Sequence, residues 1–312
     1  MIDAKTTAFL FPGQGSQAVG MGKDLAGQYP IAKQFFDEAD ALFGFSLSSL
    51  MWDGPEADLN DTVNTQPALY LHSLAAFHTF SHLHPDFEPV AVAGHSLGEL
   101  SALAAAGAFS FADGLRLVRK RGELMKRAGE LSPGGMAAIL GLDIPTLDKV
   151  CAEASAENET VQVANDNCPG QVVISGAKSA VERAMAGAKA AGAKRAMPLA
   201  VSIAAHSPLM ASIQSEWDDA VDSVQMNELK IPVIGNVHAA PLKSMDDVRA
   251  DLKAQMQSRV KWTDSVRVMA GMGIKTFVEV GTGTVLGGLV KRIAGDAVNH
   301  PLGNPQDYSA FE

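Results

Sequence analysis

Val90-Ala91-Val92-Ala93-Gly94-His95-Ser96-Leu97-Gly98-Glu99-Leu100 changes character twice within one short segment. Val90 to Ala93 is apolar and β-branched enough to predict a buried strand, and Glu99 to Ala106 has strong helix propensity with Gly107 placed to cap it. Between them stands Gly94-x-Ser96-x-Gly98, a G-x-S-x-G elbow. Its glycines permit a tight turn that lifts the serine hydroxyl above the sheet edge at a helix N-terminus, where the helix dipole favours developing negative charge. The amide of Leu97, the residue after the serine, is then the natural donor to an oxyanion. His95 is expected to point away from the serine and to be a packed structural histidine without a chemical role.

Outward from this turn the chain keeps to strand, loop, helix. Thr6 to Phe11 reads as a buried strand, Pro12 to Gly22 as a glycine-rich loop and Ile31 to Leu42 as an amphipathic helix. A further helix is seeded at Asn64-Thr65-Gln66-Pro67, with Pro67 expected in its first turn, and runs to Leu83. Another spans Phe111 to Leu131 and closes at Ser132-Pro133-Gly134-Gly135. After that cluster the pattern changes: strand Met136 to Leu142, helix Ile144 to Ala154, strands Thr160 to Ala164 and Gln171 to Ser175, helix Lys178 to Ala191, strand Arg195 to Val201. That order is a split βαβ, ferredoxin-like (βαββαβ) unit. The main α/β pattern then resumes, with strands near Pro232 to Asn236 and Thr276 to Val280 separated by the helical region Met245 to Met272. The division expected is a core of residues 1–133 and 202–312 and a small subdomain of residues 134–201.

Composition bounds the function. In 312 residues, 47% are hydrophobic and 19% charged, which fits a soluble globular enzyme and excludes a disordered or fibrous class. Acidic residues outnumber basic ones 35 to 25, so the overall field gives no reason to expect nucleic acid or an anionic membrane as partner. Cys151 and Cys168 form neither a C-x-x-C pair nor a zinc pattern, which suits a reducing cytoplasm. Met1 to Phe11 lacks a signal-peptide pattern, and the apolar run from Ala102 to Phe111 is far too short to span a bilayer.

One charge lies out of register. On the helix from Phe111, the residues Arg116, Arg119, Lys120, Glu123, Lys126, Arg127 and Glu130 share a solvated stripe, whereas Arg121 falls among Leu117, Val118, Leu124, Met125 and Ala128. An inward guanidinium demands an anion, either a ligand carboxylate or a protein one such as Glu279.

Taken together, Phe11-Pro12-Gly13-Gln14-Gly15-Ser16-Gln17, Thr65-Gln66-Pro67-Ala68, Gly94-His95-Ser96-Leu97-Gly98-Glu99, Arg119-Lys120-Arg121-Gly122, Pro169-Gly170-Gln171-Val172-Val173, Ser202-Ile203-Ala204-Ala205-His206-Ser207-Pro208-Leu209-Met210 and Glu279-Val280-Gly281 give the chain a resemblance over nearly its whole length. It resembles the malonyl-CoA:acyl carrier protein transacylase family, related to the acyltransferase domains of polyketide synthases. The resemblance implies an α/β-hydrolase-like core carrying the ferredoxin-like subdomain, with the active site between them. It implies Ser96 as acylated nucleophile, His206 as general base, Arg121 on the malonyl carboxylate, Gln14 and the Leu97 amide at the oxyanion, and the region of Gln255 orienting His206 through a backbone carbonyl. The activity implied is ping-pong transfer of malonyl from malonyl-CoA to acyl carrier protein for fatty-acid or polyketide synthesis, with no metal or cofactor, malonyl-CoA and CoA being substrate and product. The chain departs from the family at Ser258-Arg259-Val260-Lys261-Trp262, where a proline is usual at position 259, and carries Ile203 and Ala205 where polyketide domains hold selectivity residues.

Other readings make distinct demands. A serine hydrolase or thioesterase would place a late base, His238 or His300, after an acid such as Asp222. Gly13-x-Gly15-x-x-Ala18 loosely matches a dinucleotide loop but lacks the second strand ending in an acid. His78 and His82 are one turn apart without a completing ligand. A noncatalytic carrier-binding module would have no use for an elbow serine beside an inward arginine. For an acidic carrier protein, the Arg116, Arg119, Lys120, Lys126 and Arg127 stripe and Lys291-Arg292 are the candidate contacts.

Overall fold

The computed structural model describes residues 2–312. Its strands in chain order are β1 (Thr7–Phe11), β2 (Ala91–Gly94), β3 (Gly134–Leu140), β4 (Val161–Cys168), β5 (Gln171–Ala177), β6 (Arg195–Pro198), β7 (Val233–Ile234), β8 (Thr276–Val280) and β9 (Val298–Leu302). β1 and β2 are buried at every position, because they lie in the interior of a parallel sheet whose faces are both covered. That sheet has the order β7-β2-β1-β8-β9, with Phe11 beside Gly94 and Leu10 beside Glu279. The adjacent carboxyl ends of β1 and β2 therefore bring the Gln14 loop next to the serine turn. Ligands of open α/β sheets gather at this edge.

The second sheet is antiparallel, ordered β4-β5-β3-β6, with helices Ile144–Ala154 and Lys178–Ala190 packed on it. The protein is thus a mixed α/β structure with one parallel and one antiparallel sheet. The two are stitched together by residues 258–263: Val260 pairs with Asn165 on β4, Val260 N donates to Ala164 O at 2.8 Å, and Asp166 N donates to Val260 O at 2.9 Å. Arg259, where the family usually has proline, forms an ion pair with Asp148 of the antiparallel layer.

The helix Phe111–Leu131 begins at Ser110, whose hydroxyl caps the Asp113 amide at 3.1 Å. It packs tightly on the buried helix Thr62–Leu83, where a Cβ on Gly122 would stand 2.8 Å from the Thr62 carbonyl. Pro67 is the one misplaced element of that second helix. It sits well inside it and not in the first turn, because Asp61 caps the helix earlier than expected. Proline cannot donate to the Val63 carbonyl, and Arg119 Nη1 fills that role at 3.2 Å. This keeps a half-buried acceptor paired.

Two further differences concern the C-terminal third. The region from Met245 to Met272 is two helices, Met245–Gln255 and Trp262–Gly271, broken by the segment that pairs with β4. β9 has no counterpart in the sequence pattern; it carries Pro301 and is only partly buried, so no apolar run marks it. Pro301 is tolerated because β9 is an edge strand. No described helix is long and apolar enough to cross a membrane.

Candidate active site

The elbow glycines are required by contact as much as by conformation. A Cβ on Gly94 would lie 1.9 Å from the Gly98 carbonyl, and one on Gly98 would lie 2.0 Å from the Phe11 carbonyl oxygen. Ser96 itself holds φ 53°, a left-handed backbone unfavourable for a side-chain-bearing residue. It is pinned there by Asn236, whose Oδ1 accepts from Ser96 N at 2.8 Å while its Nδ2 donates to Gly94 O at 2.7 Å.

His206 meets the serine from the other side of the cleft, with Nε2 2.8 Å from Ser96 Oγ. It too has a left-handed backbone, φ 58°. Its Nδ1 lies 2.9 Å from the Gln255 carbonyl oxygen, which can only accept, so Nδ1 carries the proton and Nε2 presents its lone pair to the hydroxyl. Burial, reinforced by the neighbouring Arg121 charge, pushes the imidazole down to about 3, although the Gln255 carbonyl works the other way. The ring is neutral at physiological pH.

Arg121 is only 1% exposed, and among the described residues no carboxylate is bonded to it. Nη1 donates to Gln66 Oε1 at 2.9 Å, and Nη2 donates to Gln255 Oε1 at 2.8 Å and to Ser96 Oγ at 3.1 Å. Nε is buried without a partner. The expected alternative of a salt bridge to Glu279 is overturned: that carboxylate accepts from Gly287 N at 2.9 Å instead. Burial lowers the guanidinium to about 10, partly offset by the nearby acidic Glu99 site, which still leaves it cationic at neutral pH.

Gln14 accepts at Oε1 from Thr62 Oγ1 at 2.8 Å. Its backbone amide and that of Leu97 make no backbone hydrogen bond among the described residues. Gln255 does more than expected: besides its carbonyl on His206, its side chain bonds Arg121, donates to Ser96 O at 3.0 Å and bonds Glu99. Gln66, Asn236 and Glu99 also join the site, though the sequence reading gave them no role. Glu99, a charge between Leu97, Leu100 and Ala102, carries a signal in the sequence; Gln66, next to Asn64 and Thr65, and Asn236 carry none.

Ser96, His206, Arg121 and Gln14 line one cleft of about 340 Å³ between the two sheets, walled by Met136, Ala138 and Val173 on one side. His95 lines the same cleft instead of turning from it, yet it is packed and bonded as a structural histidine, with Nε2 2.8 Å from Asn167 Oδ1 and its ring edge-on to Trp262. The hydrolase alternative is not assembled. His300 packs beside Phe311, His238 is exposed, and Asp222 pairs with Lys253 at 2.7 Å. The Gly13 to Ala18 loop leads into turns before the next helix begins at Lys23, which does not fit a dinucleotide loop. His78 is stacked on Phe35, and among the described residues no group of His, Cys, Asp or Glu is arranged to hold a metal ion.

Residues 8–296 match the model of the acyl transferase domain family. The chain is 47% identical over 288 residues to the malonyl CoA-acyl carrier protein transacylase of Bacillus subtilis (strain 168), covering 92% of this chain and 90% of that one. It is 45% identical over 303 residues to the enzyme of the same name from Escherichia coli (strain K12), covering 97% of each. Among solved structures, an acyl carrier protein S-malonyltransferase from Vibrio cholerae superposes with a TM-score of 0.95 at 42% identity, covering 98% of this chain and all of that one. A malonyl-transacylase in complex with a type II PKS acyl-carrier protein superposes with a TM-score of 0.93 at 40% identity, covering 97% and 98%. Sequence, fold and site geometry agree, and the chain belongs to the acyl transferase domain family and, within it, to the malonyl-CoA:acyl carrier protein transacylases.

Proposed function

We propose that the protein transfers a malonyl group from malonyl-CoA to the phosphopantetheine thiol of acyl carrier protein through an ester on Ser96. In the first half, His206 Nε2 takes the Ser96 proton as Oγ bonds to the thioester carbonyl carbon. The tetrahedral oxyanion is met by the Leu97 amide and Gln14. The carbon–sulfur bond breaks, and the departing CoA sulfur receives the proton from His206. In the second half the carrier thiol gives its proton to His206 and attacks the ester, and Ser96 recovers its proton as it leaves. Gln255 fixes the tautomer throughout.

The observation that carries this reading is Arg121: a buried guanidinium, bonded only to neutral oxygens and 3.1 Å from the nucleophile. Its planar fork suits a carboxylate on the acyl chain, which a malonyl group supplies. Incubation with malonyl-CoA, followed by intact mass and peptide mapping, tests it. A single malonyl adduct on the Ser96 peptide, absent in Ser96→Ala, is the expected result. Steady hydrolysis with no transfer to the carrier thiol would favour a thioesterase instead.

The finer architecture belongs to the same reading: residues 1–133 and 202–312 as an α/β-hydrolase-like core, and residues 134–201 as a ferredoxin-like subdomain. The order β6-β3-β5-β4 with two helices on one layer supports the second part. The reading also assigns a cytoplasmic location and needs no cofactor. For carrier docking it favours Lys291 and Arg292. On the other stripe, Arg116, Arg119, Lys120, Lys126 and Arg127 are each engaged by an acid of this chain. Lys291 and Arg292 have no such acid among the described residues, and Arg292 Nη1 bonds Gln171, a residue of the cleft wall, at 2.6 Å.

A further inference from the structure

Behind the serine turn two carboxyl groups are buried together. Glu99, in the first turn of the helix Gly98–Ala105, is 0% exposed, and Asp251, on the helix Met245–Gln255, is 3% exposed. The consecutive amides of Asn236 and Val237 donate to one carboxyl each, which sets the two side by side. Two carboxylates in contact in a dry site cannot both stay ionised. Their other partners show where the proton lies. Glu99 Oε1 accepts from Asn236 N at 3.1 Å and Oε2 from Gln255 Nε2, while Asp251 Oδ1 accepts from Val237 N at 3.3 Å. Asp251 Oδ2 is buried with no donor among these groups, and a proton carried by the neighbouring Glu99 would supply one.

We propose that Glu99 and Asp251 share one proton, and that the single negative charge of the pair is the counter-ion that positions Gln255, and through it Arg121, in the unloaded site. The charged and titratable groups facing the pair are Arg121 from the helix Phe111–Leu131 and His238 beside Val237. Burial raises the carboxyl of Glu99 far above the usual carboxylate range, and Asp251 adds to the rise. Because the counter-charge acts from behind Gln255, the guanidinium stays bonded to Gln66, Gln255 and Ser96 alone. An incoming acyl carboxylate then has no protein carboxylate to displace. Glu99 and Asp251 are positioning residues, and their role in selectivity rests on the reading of Arg121 as receiver of the acyl carboxylate.

Infrared spectroscopy and a double-mutant cycle test the pair. Wild-type protein at neutral pH is expected to show a protonated-carboxyl stretch that is missing from the spectrum of Asp251→Asn, since an amide then donates to an ionised Glu99. That readout does not depend on which acyl group is transferred. In the cycle, Glu99→Gln and Asp251→Asn each keep one negative charge, and the double variant keeps none. Each single substitution is expected to lower the malonyl-over-acetyl ratio only a few-fold, and the double variant by roughly tenfold beyond their product. Losses that simply multiply, or an Asp251→Asn spectrum that retains every protonated-carboxyl band, would overturn the proposal. Should a variant not fold, the wild-type spectrum still decides, because absence of any protonated carboxyl at neutral pH sinks the idea.

Discussion

The imidazole of His206 reaches the hydroxyl of Ser96 at 2.8 Å across 110 positions of chain, and both residues hold left-handed backbones, φ 58° and 53°. Strained backbone at two partners of one hydrogen bond persists only where the surroundings over-determine it. Asn236 does this for the serine, and the hydrogen bond from His206 to the Gln255 carbonyl for the histidine.

Arg121→Ala is expected to shift acyl preference. Removing the fork takes away the proposed partner of the malonyl carboxylate, whereas neutral acyl groups lose only the bonds from Arg121 to Ser96 and Gln255, so malonyl transfer should fall by about a hundredfold or more relative to acetyl. Competition between malonyl-CoA and acetyl-CoA measures the ratio. An unchanged ratio would refute the assigned role.

Gln255→Ala separates two duties of one residue. The backbone carbonyl that orients His206 survives, while the side-chain bonds to Arg121, Ser96 O and Glu99 are lost. Malonyl selectivity and the KM for malonyl-CoA should therefore suffer more than the acylation rate with a neutral acyl donor. Equal losses for both donors would show that the side chain serves His206 instead.

The pH dependence follows from the depressed imidazole. His206 is neutral in the folded protein down to about 3, against an ordinary value of 6.5, so kcat/KM for acylation should show no acid limb between pH 6 and 7 from this group. Linkage has a definite sign here: as pH falls below 6.5 the unfolded chain binds a proton that the folded chain refuses. This contribution to stability is complete above that value and is lost progressively towards pH 3. Urea titrations at stepped pH check the slope, and a sharp loss of acylation near pH 6.5 would contradict it.

Arg119→Ala should lower unfolding stability by about 1–2 kcal/mol, because the Val63 carbonyl opposite Pro67 loses its donor. The exposed Arg116→Ala is the control, with an expected change within about 0.5 kcal/mol. Denaturant midpoints distinguish them.

Charge reversal at Lys291 and Arg292 should slow transfer to the carrier protein and flatten its salt dependence, with little effect on hydrolysis of the Ser96 ester. The same reversal at Arg116, already bound to Asp113, should do much less. An equal effect at both places would return the docking surface to the helix stripe.

Much of this is legible in local chemistry alone. The elbow glycines, the cap at Ser110 and the apolar stripe around Arg121 are short-range patterns, and helices Phe111–Leu131 and Ile144–Ala154 run where those patterns place them. β9 escaped because a partly buried edge strand needs no apolar run, and Pro67 was misplaced because its freed carbonyl is satisfied from another helix. The inward arginine was plain from helical periodicity. Its partners were not: Gln66 and Gln255 lie 55 and 134 positions away. Periodicity reports which face of an element is buried, but what a buried charge meets depends on how separate elements pack. The shared neighbourhood of Ser96, His206, Arg121 and the Glu99–Asp251 pair is therefore a property of the assembled layers.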